Sequence, residues 1–279
     1  MANSNGWGDG AANNSIGWGQ GANNAIGWGD IHADSWAGAT DIVGVSSFTN
    51  EYSMLFDGVD EYAKGGTTFS ELDGGNKFTL SMWVKVTSLA VSRMLFHIPR
   101  NTTQNNSQVL VWLRNTGQLD ISVSSTTSFI RSNTGVITAG SWHHILLCFD
   151  LAQATQSQKI RPFVNGVDVF NIANALGITF PTSTGAIWLG EEANGYQSPF
   201  LGNMDEVAIW TSDQRANVAA IYNAGAPSDL SQLATPPQHW WRMGDGDTFS
   251  TDWTFADNIG SYNLGSINME VGDRVTDVP

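Results

Sequence analysis

The sequence predicts an all-β sandwich, on three observations. Phe78-Thr79-Leu80-Ser81-Met82-Trp83-Val84-Lys85-Val86 alternates apolar and polar side chains, the period-2 signature of a strand with one buried face. Asn165-Gly166 separates Arg161-Pro162-Phe163-Val164 from Val167-Asp168-Val169. That is a two-residue hairpin signal, since a type I′ turn needs φ > 0 at both central positions. Short β-forming runs also recur between turn formers along residues 48–210, the texture of a sandwich.

Each element follows in order. Tyr52-Ser53-Met54-Leu55-Phe56 runs into an Asp57-Gly58 turn, and Met94-Leu95-Phe96-His97-Ile98 ends at Pro99. Residues 108–113 lead through Asn115-Thr116-Gly117 into Leu119-Asp120-Ile121-Ser122-Val123. Residues 142–149, 186–190 and 204–210 complete the strands. One short helix is expected from Gln214 to Tyr222, capped by Ser212 or Asp213 and stopped at Gly225, with Val218, Ile221 and Tyr222 as its apolar side. Pro236-Pro237 marks a break. The expected organisation is an extended arm over residues 1–47, a sandwich over 48–235, and an irregular acidic segment over 236–279 that packs against the sandwich or a neighbouring copy. Trp240, Trp241, Trp253, Phe255 and Tyr262 anchor that last segment.

The arm is an internal repeat. Gly-Trp-Gly recurs at Trp7, Trp18 and Trp28, separated by Ala-Asn-Asn linkers, and Trp36 follows. Flanking glycines free the backbone for turns or close approach, and the indole is then the only large group left to pack. Such a segment has too few apolar side chains to fold alone. It is expected to act as an assembly or anchoring device, its Trp residues filling pockets on a partner.

Composition excludes several classes. Charged residues make up 14% of the 279, against roughly 25% in an average soluble chain. Residues 1–63 carry eight acids and no base, and residues 243–279 carry seven acids and only Arg274, so the net charge of −14 sits at the two ends. Nucleic acid is not an expected partner, because phosphate binding needs clustered cations. No window approaches the ~18 consecutive apolar residues of a spanning helix, so no membrane insertion is expected. The first basic residue is Lys64, which leaves no positive n-region for a secretory signal. A lone Cys148 allows neither an internal disulfide nor a Cys-rich zinc site.

The strand motifs resemble the laminin-G-like, concanavalin-A-like jelly roll, in the order that family has them. They are Leu55-Phe56-Asp57-Gly58-Val59-Asp60-Glu61-Tyr62, Phe78-Thr79-Leu80-Ser81-Met82-Trp83-Val84-Lys85, Trp142-His143-His144-Ile145, Phe163-Val164-Asn165-Gly166, and Gly202-Asn203-Met204-Asp205-Glu206-Val207-Ala208-Ile209-Trp210. Together they cover about residues 48–225. The Gly-Trp leader and the tail Trp240-Trp241-Arg242-Met243-Gly244-Asp245-Gly246-Asp247, closing in Asp273-Arg274-Val275-Thr276-Asp277-Val278-Pro279, resemble segments of tailed-phage virion proteins, among them those of marine and crAss-like phages of Bacteroidetes. That resemblance implies a virion location. It also implies a structural, non-enzymatic role as capsid decoration, head fibre or tail component, and partners that are other virion proteins and copies of this chain, with a trimer expected. The displayed domain would engage host-surface glycans. A lectin not tied to a virion and a glucanase-like hydrolase are the alternatives.

Three kinds of chemistry follow. The fold is shared with glucanases, and a retaining glycosidase needs two carboxyls about 5–5.5 Å apart. Glu191-Glu192 and Asp205-Glu206 are adjacent, so on a strand each pair is expected to point to opposite faces. No catalytic residue is assigned on this basis. His143-His144 are read as strand residues in the same way. Calcium takes oxygen ligands. Asp57, Asp60 and Asp205 are the candidates, since the resemblance implies that the first and last strands are neighbours; Asp245-Gly246-Asp247 lacks EF-hand spacing. Sugar binding combines an aromatic platform with amides and carboxylates. The loop holding Glu191, Asn194, Tyr196 and Gln197 has that composition, as does Asn101-Thr102-Thr103-Gln104-Asn105-Asn106. Trp83, Trp112, Trp142, Trp188 and Trp210 are expected in the core.

Overall fold

The computed structural model describes residues 48–100, 107–123, 129–174, 176–183, 185–193 and 198–279. The sandwich lies within the unit Asn50–Pro279. Trp7, Trp18, Trp28 and Trp36 lie outside the described residues.

The first strands are β1 (Ser53–Asp57), β2 (Tyr62–Gly65), β3 (Lys77–Val86), β4 (Arg93–Pro99), β5 (Ser107–Leu113) and β6 (Leu119–Val123). There follow β7 (Phe129–Ser132), β8 (His143–Asp150), a single-turn helix α1 (Gln156–Lys159), β9 (Ile160–Val164), β10 (Val167–Asp168), β11 (Phe170–Ala173) and β12 (Trp188–Leu189). The chain then forms β13 (Leu201–Trp210), α2 (Val218–Tyr222), β14 (His239–Trp241), β15 (Thr248–Phe249), β16 (Trp253–Phe255), β17 (Leu264–Ile267) and β18 (Arg274–Val275). These strands make two antiparallel sheets. The eight-stranded sheet runs β10-β9-β8-β3-β13-β1-β18, with β14 also paired to β13. The ten-stranded sheet runs β11-β7-β6-β5-β4-β12-β2-β17-β16-β15.

The core lies between the sheets. From β3 the side chains of Phe78, Leu80, Met82, Val84 and Val86 point inward and are fully buried. Each such burial contributes about 1.5–3 kcal/mol relative to exposure. Phe78 packs against Phe96, Phe149 and Phe180 at centroid separations of 5.2–6.2 Å. The Asn165-Gly166 turn has φ of 50° and 75°, as a type I′ hairpin demands. A Cβ at Gly166 would stand 2.8 Å from the Tyr222 ring.

Two expectations change. Residues 236–279, expected as an irregular segment, contribute strands to both sheets: β14 joins β13, β17 joins β2, and β18 joins β1. The expected helix begins instead as a 3-10 turn, Arg215–Asn217, continues as α2, and stops where Asn223 and Ala224 adopt φ of 48° and 54°. Asp213 does serve its start, accepting the Arg215 amide at 3.1 Å.

Candidate functional site

Cross-strand partners in an antiparallel pair share a face. In the ten-stranded sheet the register aligns Thr248, Thr254, Gly265, Lys64, Trp188, His97, Leu110, Ser122 and Phe129 in one row across nine strands. Their neighbours in sequence, among them Phe255, Leu264, Ala63, Leu189, Phe96, Val111, Ile121 and Ile130, belong to the core. The row is therefore the outer face of the sheet. Trp112, Asp120 and Arg131 form a second, shorter row on the same face.

Two groups on this face reach solvent. The first centres on Trp188, whose half-buried indole stacks with Tyr62 at 4.9 Å and 22° and carries Lys64 Nζ 4.5 Å above its ring. A groove of about 380 Å³ lies alongside, lined by Lys64, Thr254, Asn263, Gly265 and Ile267 among others. Gly265 lies open within it, since a Cβ there would meet nothing within 4 Å. Glu191 lies near Tyr62, and Asp60 near Glu191. Burial, and after it the Glu191 charge, raises the Tyr62 phenol. Burial and Asp60 raise Glu191 itself. Glu192 is pushed up to about 7 by burial and by Glu191.

The second group lies beyond β4. Trp112 and Phe129 are half-buried, with the guanidinium groups of Arg114 and Arg131 over their rings at 4.9 and 4.5 Å. Between the two groups the chain leaves the sheet at Gly190 and returns at Ser198. Gly190 N–H donates to Leu95 O at 3.1 Å, and Met94 N–H donates to Ser198 O at 2.8 Å. Ala193 N–H donates to His97 Nδ1 at 3.0 Å, so this loop covers His97, which is fully buried.

Of the predicted ligand residues, Glu191 therefore borders the Trp188 group. Asn194, Tyr196, Gln197 and residues 101–106 lie outside the described residues. Of the strand Trp residues expected in the core, Trp83 and Trp210 are buried, at 5% and 0% exposure, though on the covered outer face of the eight-stranded sheet rather than between the sheets, whereas Trp112 and Trp188 lie on the other outer face and keep partial exposure. Trp142 lies just before β8, half-buried, with its Nε1 donating to Asp277 at 3.0 Å.

The predicted calcium set is not brought together. Asp57 pairs with Leu201, whereas Asp205 lies four residues further along β13, about 13 Å away at a strand's rise. Asp57 Oδ1 accepts the Val59 amide in its own turn at 2.7 Å, and Asp60 sits by Glu191. Among the described residues no group of three or more His, Cys, Asp or Glu side chains is arranged to hold a metal ion.

Asp205 and Glu206 also depart from expectation. A register irregularity between Asp205 and Ala208, with Glu206 at φ 48°, breaks the alternation and draws both carboxylates into one cluster with Asp245. Asp205 Oδ2 accepts from Asn50 at 2.8 Å. Glu206 accepts from Trp240 Nε1 at 2.5 Å and Arg242 Nε at 3.0 Å. Burial pushes Glu206 up to about 7 against the pull of Arg242 and Trp240. Asp205 is raised too, by burial first and Glu206 second. The pair is 0% and 2% exposed, so it closes a buried network and lines no cleft. His143 and His144 are buried as well, with different partners: His143 bonds to Thr138 and Asn165, and His144 Nε2 to Ser81 at 2.8 Å.

A jelly-roll sandwich with one open, aromatic-bearing sheet face defines a lectin-like class of domain. Residues 56–216 match the family model Laminin_G_3, described as the concanavalin A-like lectin/glucanases superfamily, and the chain belongs to that family. Comparison with curated proteins returns no match. Among solved structures the chain is similar to a Bacteroides ovatus protein to which carbohydrate binding is ascribed, with TM-score 0.58 and 15% identity over 82% of this chain. The match spans 60% of that protein's length. A heptameric SAP-like pentraxin from Limulus polyphemus gives 0.49 at 13% identity, over 78% of this chain and 94% of its own. A CBM40 module of a Ruminococcus gnavus sialidase, bound to α2,3 sialyllactose, gives 0.45 at 14%, over 61% and 96%.

Proposed function

We propose that the protein is a non-enzymatic glycan-binding protein whose ligand lies on the outer face of the ten-stranded sheet. The observation that carries this reading is Trp188, half-buried on an outward row and flanked by Tyr62, Lys64 and the groove at Gly265. An indole presents a broad apolar face to the C–H side of a sugar ring, and nearby charged and amide groups meet its hydroxyls. The family's description admits lectins and glucanases alike. Burial of Asp205 and Glu206 within protein hydrogen bonds favours the lectin, because a hydrolase must expose its carboxyls to substrate.

The finer reading is a virion structural component located in the particle. Residues 1–47 would seat the sandwich among other virion proteins and copies of this chain, a trimer being the expected form. The Gly-Trp repeat supports it, as a segment with little else to pack.

A glycan array probed with the full chain tests the first reading. Trp188→Ala should weaken any glycan detected by about 10–100-fold, the range of a lost aromatic anchor, with little change in Tm because Trp188 is outside the core. Unchanged binding would remove the site from the Trp188 group. Release of reducing sugar from a bound glycan would restore the hydrolase. Mass spectrometry of purified particles, with and without deletion of residues 1–47, tests the finer reading; normal incorporation of the truncated chain would defeat it.

A further inference from the structure

We propose that the second group on the open face, Arg114, Asp120 and Arg131 with Trp112 and Phe129, is an anion subsite that selects acidic sugars, those bearing a carboxylate or a sulfate ester. The proposal rests on the reading that this face binds glycans. Its own support is the stoichiometry of the cluster.

Two guanidinium groups converge on a single carboxylate oxygen. Arg114 donates to Asp120 Oδ2 from Nε at 3.0 Å and Nη2 at 2.6 Å, and Arg131 donates to the same atom from Nη2 at 2.8 Å. Asp120 Oδ1 and Arg131 Nε are buried with no hydrogen-bond partner among the described residues. Among the described residues one negative charge thus faces two positive ones, and part of the donor capacity of the two five-donor forks is unused there. An ion pair built only for stability would match charge to charge and fill its hydrogen bonds.

The surplus charge is also accessible, though not through the buried Arg131 Nε. The Arg114 and Arg131 side chains are 39% and 33% exposed, while the Asp120 carboxylate beneath them is 5% exposed. Asp120 therefore holds the two planes in place and leaves their outer sides to solvent. The rings of Trp112 and Phe129 back them. A planar guanidinium recognises carboxylate or sulfate oxygens through parallel N–H donors, and the adjoining indole suits the sugar ring that carries the anion.

Calorimetric titration of the full chain with three probes tests this: an oligogalacturonate, a sulfated galacto-oligosaccharide and the same galacto-oligosaccharide without sulfate. At least one acidic probe should bind about tenfold or more tighter than the neutral one, and raising the salt concentration should erode that preference. The carboxylate and sulfate arms show which anion is preferred. Arg131→Gln and Arg114→Gln should each reduce the preference about tenfold. Arg131→Lys, which keeps the charge and loses the fork, should fall between. Trp188→Ala should weaken all probes while leaving the acidic preference in place. Equal affinity for acidic and neutral probes, or no binding of either acidic probe, overturns the proposal without any variant. Neutral binding that depends on Trp188 with no acidic preference would overturn this inference alone. Acidic binding indifferent to Trp188→Ala would overturn the Trp188 reading alone.

Discussion

The outer faces of the two sheets carry the same kinds of residue and do different things with them. On the eight-stranded sheet, Trp83, His144, Trp240, Asp205 and Glu206 are all 5% exposed or less. Tyr222 of α2 lies over Trp83 and His144 at 6.0 and 5.7 Å, and Arg242 follows β14 to close on Glu206. On the ten-stranded sheet, Trp188, Trp112, Lys64, Arg114 and Arg131 keep partial exposure. Residue type does not separate a site from a seal here. What decides is whether later chain crosses the strand, and among the described residues of the ten-stranded sheet β4 is crossed in this way, where Ala193 closes over His97.

The largest expected effect would break the sealed side. Arg242→Gln removes the guanidinium that holds buried Glu206. Losing one partner of a buried pair costs about 3–5 kcal/mol. Glu206 can take up a proton, which places the loss near the low end, about 3 kcal/mol. A urea midpoint shifted accordingly, with glycan affinity retained by the folded fraction, keeps the division between faces. Unaltered stability with lost binding would reverse it.

A smaller effect is set by pH. Glu61, Glu192 and Glu206 are each pushed up to about 7, chiefly by burial. A carboxyl raised in the folded state lends stability below its unfolded value and loses it as pH rises through the folded one. His239 acts in the same direction. Burial opposes its charge, but bonds to Asp257 at 2.6 Å and Glu71 at 2.9 Å prevail and raise its pKa. Stability should fall by about 1–2 kcal/mol between pH 6.5 and 8. His97 and His144, depressed to about 3 by burial, take up protons on unfolding, so their share of stability is lost as pH falls below 6.5. The two sets oppose one another between pH 5 and 6.5, where stability should fall with rising pH less steeply than the carboxyls alone would make it. A rise toward pH 8 would contradict the sealed carboxyls.

The sandwich was legible because β3 alternates cleanly and Asn165-Gly166 admits few other conformations. The open face was not. On β5, Val109, Val111 and Leu113 point in while Leu110 and Trp112 point out. Both faces are apolar, so alternation carries no phase to mark Trp112. Trp188 belongs to a strand of only two residues, too short for any period. Arg114, Asp120 and Arg131 meet only through the pairing of β5, β6 and β7, which no local spacing encodes. Asp205 and Glu206 escape the alternation for the opposite reason: a bulge with Glu206 at φ 48° interrupts β13, and nothing in the local spacing marks it.

The smallest expected effect would sharpen the comparison most. Gly265 stands on β17 between Lys64 and Thr254, and a Cβ there would enter the groove with nothing within 4 Å. Its φ lies outside the left-handed region, so an L-residue needs no backbone change. Valine favours a strand where glycine weakens one, so Gly265→Val should leave Tm unchanged or raise stability by up to about 1 kcal/mol. The same two methyl groups would occupy space a sugar needs beside Trp188 and lower glycan affinity severalfold. A more stable protein that binds less would separate function from fold at one residue, as no substitution on the sealed sheet can. If Gly265→Val binds as the parent does, the ligand does not use this groove, and the outer face is left with the Trp112 half as its recognition surface.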